Sequence, residues 1–187
     1  MLSRIVLHTL LLVFFTSGTV VADVGNSSDN ADREEQNAGS VCPEPLPVVV
    51  SRELYDELIG WIAIHTSYNL LFVYRDPVTV SFCDIGQLVE YEDRELLVED
   101  PLRAAYDVSR RHIYIVRPWS PLNVYDRSIL LHEMIHDVQL HSKEWECQRE
   151  SELEAYLLQE KWLLEQGVRY DFDWEMILSL SRCEPEK

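Results

Sequence analysis

Two histidines and a glutamate stand together in the stretch LLHEMIHDVQLH, which spans residues 130–141. His132 and His136 are four positions apart, and Glu133 directly follows the first histidine. In a helix of 3.6 residues per turn, both imidazoles point to the same side and can bind one metal ion. Glu133 is offset by one position, so it is better placed to take a proton from a water on the metal than to be a ligand. The pattern therefore predicts a zinc site with a general base beside it.

The residues around this pattern are apolar on nearly all sides of the predicted helix, which is typical of a buried helix. They are Ile129, Leu130, Leu131, Met134, Ile135 and Val138. Burying two histidines and a glutamate is costly unless they have partners. One alternative is a polar cluster in the core that is satisfied by hydrogen bonds alone. We favour Zn²⁺, because the local sequence offers few other acceptors.

A catalytic zinc site needs a third protein ligand and an open fourth position. One known pattern places a glycine and then a third histidine downstream, but those positions hold Gln139 and Ser142. His141 lies nine residues after His132, half a turn away from the site, so we assign it to the surface or to the surroundings of the ligands. His112 lies on a predicted strand and is a candidate for the substrate cleft. The third ligand is therefore expected to be a carboxylate on the next helix.

The next predicted helix contains Glu150, Glu152 and Glu154, which cannot all face the same way. A ligand must face the histidine helix, and the helical face that begins at Glu152 is the one best suited to packing. That face continues through Ala155, Tyr156, Gln159 and Leu163, whereas the face that begins at Glu154 continues to Lys161 and Glu165. We choose Glu152 as the third zinc ligand, with Glu154 as the next candidate.

An H-E-x-x-H motif followed on a second helix by E-x-x-A resembles the gluzincin branch of the zinc metallopeptidases. The matching residues are His132, Glu133, His136, Glu152 and Ala155. HEMIHDVQ followed by ELEAYLLQ also resembles a family of small exported bacterial zincin-like proteins. The resemblance implies that His132, His136 and Glu152 bind zinc and that Glu133 is catalytic. It also implies an acidic residue four positions after Glu152, to orient a histidine, but Tyr156 stands there; its hydroxyl, Asp137 or Asp107 remains to fill that role.

The remaining pattern predicts an α+β fold: a small zincin-like domain with a short mixed or antiparallel sheet packed on the HExxH helix and the glutamate-bearing helix. Helices are expected from Ser51 as N-cap, from Asp126 as N-cap, over ESELEAYLLQEKWLLEQ up to Gly167, and over DFDWEMILSLSR. Strands are expected in NLLFVYR, VTVSFC and RHIYIVRPW. Residues 84–108 give no clear pattern.

The N-terminal residues predict export. Residues 1–22 have the basic start, apolar run and small-residue end of a signal peptide. Residues 23–41 are predicted to be a disordered acidic linker, and residues 42–187 are predicted to form the metallopeptidase domain. A secreted or periplasmic location fits four cysteines, Cys42, Cys83, Cys147 and Cys183, which are expected to form two disulfides of open connectivity. The net charge of −17 argues against nucleic acid and a stable membrane partner. The oligomeric state is left open.

The expected function is hydrolysis of a peptide or protein substrate by water that zinc and Glu133 activate. An exposed sheet edge, RHIYIVR or VTVSFC, is expected to bind the extended substrate. His112, Tyr114, Tyr156 and Arg169 are candidates for stabilising the oxyanion. The alternative is a non-catalytic binding module with a structural metal; the intact Glu133 argues against it.

Overall fold

The computed structural model describes residues 49–183, and it has the predicted α+β architecture. The helices are α1 (Arg52–His65), α2 (Leu71–Arg75), α3 (Val124–Ser142), α4 (Glu150–Glu165) and α5 (Trp174–Leu180). The strands are β1 (Thr79–Cys83), β2 (Leu88–Tyr91), β3 (Arg94–Leu97), β4 (Ala104–Asp107) and β5 (His112–Val116). The predicted signal peptide and linker lie outside the described residues.

The main sheet has three strands in the order β1-β5-β4, with β5 parallel to β1 and antiparallel to β4. The sheet is therefore mixed. Along β5, Ile113 and Ile115 are fully buried in the main core, whereas His112 and Tyr114 on the other face are half-buried. This alternation is the period of a strand that packs one face on helices. The sheet thus covers α1 and α3 with its apolar face.

Helix α3 runs through the centre of the molecule, and nearly every residue from Asp126 to Gln139 is buried. Its N-cap is Asn123, whose side chain accepts from the backbone N–H groups of Tyr125 and Asp126, so the prediction of Asp126 as N-cap was wrong. The Asp126 carboxylate instead accepts from the Ser120 N–H at 2.8 Å. Asn and Asp are equally good caps, which is why the pattern did not separate them.

Between α1 and β4, one region differs from the prediction and a second was not predicted. The predicted strand NLLFVYR contains the short helix α2, whose first N–H groups include that of Leu71, bonded to the Asn69 side chain. Short apolar runs do not distinguish strand from helix, and the asparagine favours a local turn. Strands β2 and β3 form a hairpin whose turn residues, Glu92 and Asp93, both have positive φ. A type I′ turn requires that conformation, but Glu-Asp lacks the usual glycine signal.

Helices α1, α4 and α5 agree with the predictions. Ser51 caps α1 by accepting from the Leu54 N–H, and Gly167, with φ of 76°, follows the end of α4 in the left-handed conformation that favours glycine. Among residues 49–183, none of the helices has both the length and the hydropathy that crossing a membrane requires.

One of the two expected disulfides is present, between Cys147, just before α4, and Cys183, just after α5. Cys83 is buried and forms no disulfide with another described residue. The only other cysteine, Cys42, lies outside the described residues, so a second bridge remains a prediction. The observed bridge ties the segment that leads into Glu152 to the end of the chain.

We expect the double substitution Cys147→Ser and Cys183→Ser to lower the free energy of unfolding by about 2–4 kcal/mol, because the bridge closes a loop with a sequence separation of 36. Urea unfolding followed by tryptophan fluorescence measures this difference. Wild-type protein under reducing conditions should match the double variant. Equal stability of the oxidised wild type and the variant would contradict the bridge.

Candidate metal centre

The structure brings His132, His136 and Glu152 together between α3 and α4. The two Nε2 atoms are 3.0 Å apart, and one Glu152 oxygen, Oε2, is 3.4 Å from each of them. All three side chains are largely buried. In the described part of the chain this is also the one buried grouping of possible ligand atoms that includes histidine. The helix periodicity therefore placed these residues correctly in relation to one another.

These distances suit a tetrahedral zinc site. Ligand atoms about 2.0–2.1 Å from zinc at tetrahedral angles are separated by about 3.3 Å. Glu152 Oε2 is also fully buried and has no hydrogen-bond partner among the described residues. A buried carboxylate oxygen without a partner is costly, and a cation removes that cost. The residues present thus fit a zinc ion held by two imidazoles and one carboxylate.

The hydrogen bonds of His132 orient its ring toward the centre of this triangle. Its Nδ1 is 3.0 Å from Gln159 Oε1, while Gln159 Nε2 donates to Ser128 Oγ at 3.0 Å. The Ser128 hydroxyl donates in turn to the Tyr125 carbonyl, so Ser128 accepts from the amide. This network makes Gln159 Oε1 the acceptor and Nδ1 the donor. The lone pair of His132 is then on Nε2, where a metal needs it.

His136 is fixed in the same way by a different glutamine. Its Nδ1 is 3.2 Å from Gln139 Oε1 and 3.3 Å from Ser151 Oγ. Gln139 Nε2 donates to the Ser151 carbonyl and to Glu154, and the Ser151 hydroxyl donates to the Gln148 carbonyl. Both partners of Nδ1 are therefore acceptors. Two imidazole lone pairs and a carboxylate oxygen converge, an arrangement that repels itself unless a positive charge lies between them.

The pKa shifts of His136 and Glu152 also favour a positive charge in the cluster. Burial lowers the pKa of His136, but Glu152 and Glu133 outweigh it and raise that pKa to about 9. Burial alone would raise the pKa of Glu152, but His136 and His132 hold it well below its usual range. The cluster therefore attracts a cation, either a proton or a metal ion.

Glu133 lies beside the triangle and is 9% exposed. Burial raises the pKa of its carboxyl group, and the neighbouring His132 and His136 partly oppose that rise. It forms no hydrogen bond with another described residue. A buried carboxylate with a raised pKa and no structural partner has the properties of a general base.

The prediction that Tyr156, Asp137 or Asp107 orients a histidine was wrong. Tyr156 does not bond to an imidazole nitrogen; its ring packs edge-on against His132, with centroids 4.5 Å apart. Asp137 pairs with Arg111 and Tyr106, and Asp107 accepts from Ser109 and nearby backbone N–H groups. Amide carbonyls take the place of the expected carboxylate. Gln159 lies on the face of α4 that the sequence assigned to it, and Gln159 and Gln139 each contact a histidine.

The other two glutamates of α4 point elsewhere. Glu154, the alternative ligand, accepts from the Tyr68 hydroxyl at 2.5 Å and from Gln139 Nε2 at 2.9 Å. Glu150 is exposed and accepts from the Glu146 N–H. Neither carboxylate lies in the triangle with the histidines.

A cavity of about 160 Å³ opens over His132, Glu133, His136 and Glu152. Strand β4 borders it, and β4 is an edge strand of the sheet. Strand β5 is central and β1 does not line the cavity, so neither strand named from the sequence can receive a substrate there. The sequence did not show this, because residues 84–108 gave no strand pattern.

Of the four candidates for oxyanion stabilisation, Tyr156 alone lines the cavity. His112 forms a hydrogen bond with Ser81, and its ring packs at a tilt against Tyr114, whose hydroxyl donates to the Glu90 carbonyl. Arg169 is exposed outside the cavity. His141, as expected, is outside the ligand cluster; its Nδ1 is 3.0 Å from the Asp137 carbonyl.

We expect Gln159→Leu to weaken zinc affinity by about 10–100-fold, because it leaves His132 Nδ1 without its acceptor. Gln159→Glu preserves an acceptor and should bind zinc nearly as tightly as the wild type. Gln166→Ala, at the exposed end of α4, is the control. Competition with a fluorescent zinc chelator measures the affinities. Equal affinity of Gln159→Leu and the wild type would show that Gln159 does not orient the ligand.

The fold and the site together define a small α+β domain with a candidate metal centre between two helices. The chain belongs to the family described as "Domain of unknown function (DUF6647)", whose match covers residues 47–187. That match contains every residue of the site. No curated protein and no solved structure matches the chain significantly.

Proposed function

We propose that this domain is a zinc-dependent peptidase of the gluzincin type. The observation that carries the proposal is the convergence of three ligand atoms at 3.0–3.4 Å beside an unpartnered, buried Glu133 in an open cavity. A zinc ion bound by His132, His136 and Glu152 would supply a Lewis acid that polarises a carbonyl group and acidifies water.

Glu133 carries the proton in this proposal. Its carboxylate takes a proton from the attacking water, and the carboxylic acid then gives that proton to the amine that leaves when the peptide C–N bond breaks. Burial raises the pKa of Glu133, which makes it a stronger base than an exposed glutamate. A binding module with a structural metal does not explain why this largely buried side chain lines the cavity without a hydrogen-bond partner among the described residues.

The substrate backbone is proposed to pair with the outer edge of β4. Because the Val116 N–H donates to the Arg103 carbonyl at 2.9 Å, the antiparallel alternation turns the backbone groups of Ala104 away from β5. Those groups are available to an extended peptide in the cavity.

Tyr156 is proposed to stabilise the oxyanion. Burial and the nearby Glu152 raise the pKa of its hydroxyl, so it remains a hydrogen-bond donor at neutral pH. The hydroxyl has no hydrogen-bond partner among the described residues, and the side chain lines the cavity. It can therefore donate to a developing negative charge on the carbonyl oxygen.

The protein is proposed to act after export to a secreted or periplasmic location. The disulfide between Cys147 and Cys183 supports this, because such bridges persist in oxidising compartments. A peptide or protein substrate in that compartment is the proposed partner.

A peptide-library digest tests the function. Purified protein should cleave peptides, lose activity with a chelator and regain it when zinc is restored. The same digest with Glu133→Gln excludes a contaminating protease. A zinc-loaded wild type that cleaves no peptide in the library would contradict the proposal.

A further inference from the structure

The cavity contains a second charged feature besides the metal centre. Arg103 lines it from the residue just before β4, and its side chain is 28% exposed. Apolar and aromatic side chains line much of the cavity, among them Leu102, Tyr125, Ile129 and Phe172. Among residues 49–183, the carboxylates that line the cavity are Glu133 and Glu152, which the proposed mechanism already uses.

The guanidinium of Arg103 has few partners for its five N–H donors. Its Nε is buried and has no hydrogen-bond partner among the described residues. Its Nη2 is 3.4 Å from the Pro118 carbonyl and 3.8 Å from Asp126 Oδ1. The second distance is too long for a hydrogen bond, and the other Asp126 oxygen accepts from the Ser120 N–H. Asp126 therefore holds Arg103 in place without using up its donors.

Arg103 lies at a distance from the metal centre that a bound peptide can span. Asp126, its neighbour, precedes Glu133 by seven residues on α3, which is about 10 Å of helix. About three residues of extended peptide cover that length. A peptide bound along β4 thus brings a side chain or a chain end to the guanidinium, and the apolar walls strengthen a charge pair formed there.

We propose that Arg103 binds a carboxylate of the peptide substrate, within about three residues of the bond that is cut. The inference rests on the proposed function, since it assumes a peptide in the cavity. The carboxylate belongs either to an aspartate or glutamate side chain or to the end of the peptide chain. Arg103 is then a specificity-determining residue, and acidic peptides are the preferred substrate class.

The test measures binding separately from hydrolysis. The zinc-loaded Glu133→Gln protein is titrated with a series of end-blocked alanine heptapeptides. Each peptide has a phenylalanine at its central position and one glutamate, and the glutamate occupies a different one of the remaining positions in each peptide. For each of these peptides, a matched peptide has glutamine in place of the glutamate. In one further pair, the first peptide ends in a free carboxylate and the second ends in an amide. We expect about tenfold tighter binding of the carboxylate-bearing member at one or more positions.

The preference should disappear when Arg103→Gln is added and should partly return with Arg103→Lys. Arg52→Gln, an exposed arginine on α1, removes the same charge and should leave the preference intact. Arg149→Gln tests the other arginine that lines the cavity. The inference would be overturned if no peptide binds or if all matched peptides bind equally well. It would also be overturned if the preference is lost in Arg149→Gln but kept in Arg103→Gln. Preferential binding without hydrolysis by the wild type would leave Arg103 in its role and contradict the peptidase instead.

Discussion

Replacing Glu133 by glutamine is expected to reduce peptide hydrolysis at least ~100-fold while bound zinc stays at the wild-type level. Glutamine keeps the size and shape of the side chain but cannot accept and return a proton. Glu133 lies outside the triangle of His132, His136 and Glu152, so the ligands are unchanged. Zinc content by mass spectrometry and kcat/KM on the best library peptide measure the two effects.

The control for this substitution is Glu150→Gln, the same chemical change at an exposed position on α4. It should leave both zinc content and kcat/KM unchanged. A Glu133→Gln protein with full activity would rule out Glu133 as the base. If zinc is lost together with activity, the carboxylate instead contributes to metal binding.

Replacing Glu152 by alanine is expected to weaken zinc binding by at least ~100-fold, beyond the 10–100-fold typical of residues that only orient ligands. The change removes the only carboxylate in the triangle, whose Oε2 lies 3.4 Å from both histidine nitrogens. Two imidazoles alone form an incomplete site. Competition with a zinc chelator measures the affinity.

Two neighbouring substitutions on α4 control for general effects on the helix. Glu150→Ala should bind zinc as the wild type does, because Glu150 is exposed. Glu154→Ala should weaken binding by less than about tenfold, because Glu154 acts only through Gln139, which keeps its bond to the Ser151 carbonyl. Greater loss in Glu154→Ala than in Glu152→Ala would contradict the ligand assignment.

The grouping of His132, His136 and Glu152 was predictable because helical periodicity determines which side chains share a face. Four-residue spacing aligns the two histidines, and the face of α4 that carries Ala155 and Gln159 packs against α3. The buried character of α3 followed from its apolar residues for the same reason. These predictions depended only on local geometry.

The partners of the histidines depended on details that periodicity does not contain. Gln159 and Gln139 become acceptors because Ser128 and Glu154 take their amide groups, and those contacts connect residues up to 31 positions apart. The expectation of a carboxylate came from the resemblance, which this chain does not follow at Tyr156. A glutamine on the inward face of each helix was the available signal, since a buried amide must find partners.

The order of the strands in the main sheet could not be predicted from the sequence either. Both β1 and β5 have strand patterns in the sequence. The strand at the edge that borders the cavity is β4, however, and the sequence of its segment has no clear strand pattern. The type I′ turn at Glu92 and Asp93 is stabilised by tertiary contacts, among them the bond from the Glu92 N–H to Asp107. The edge strand beside the candidate metal centre is therefore visible only in the folded molecule.

We propose that one zinc ion is bound by His132, His136 and Glu152. An anomalous-difference map from crystals of the purified protein, recorded at the zinc absorption edge, tests it most directly. We expect a single strong peak about 2.0–2.2 Å from the Nε2 atoms of both histidines and from a Glu152 oxygen. A map without a peak at this position after the protein has been incubated with zinc, or a peak bound by other residues, would contradict the account.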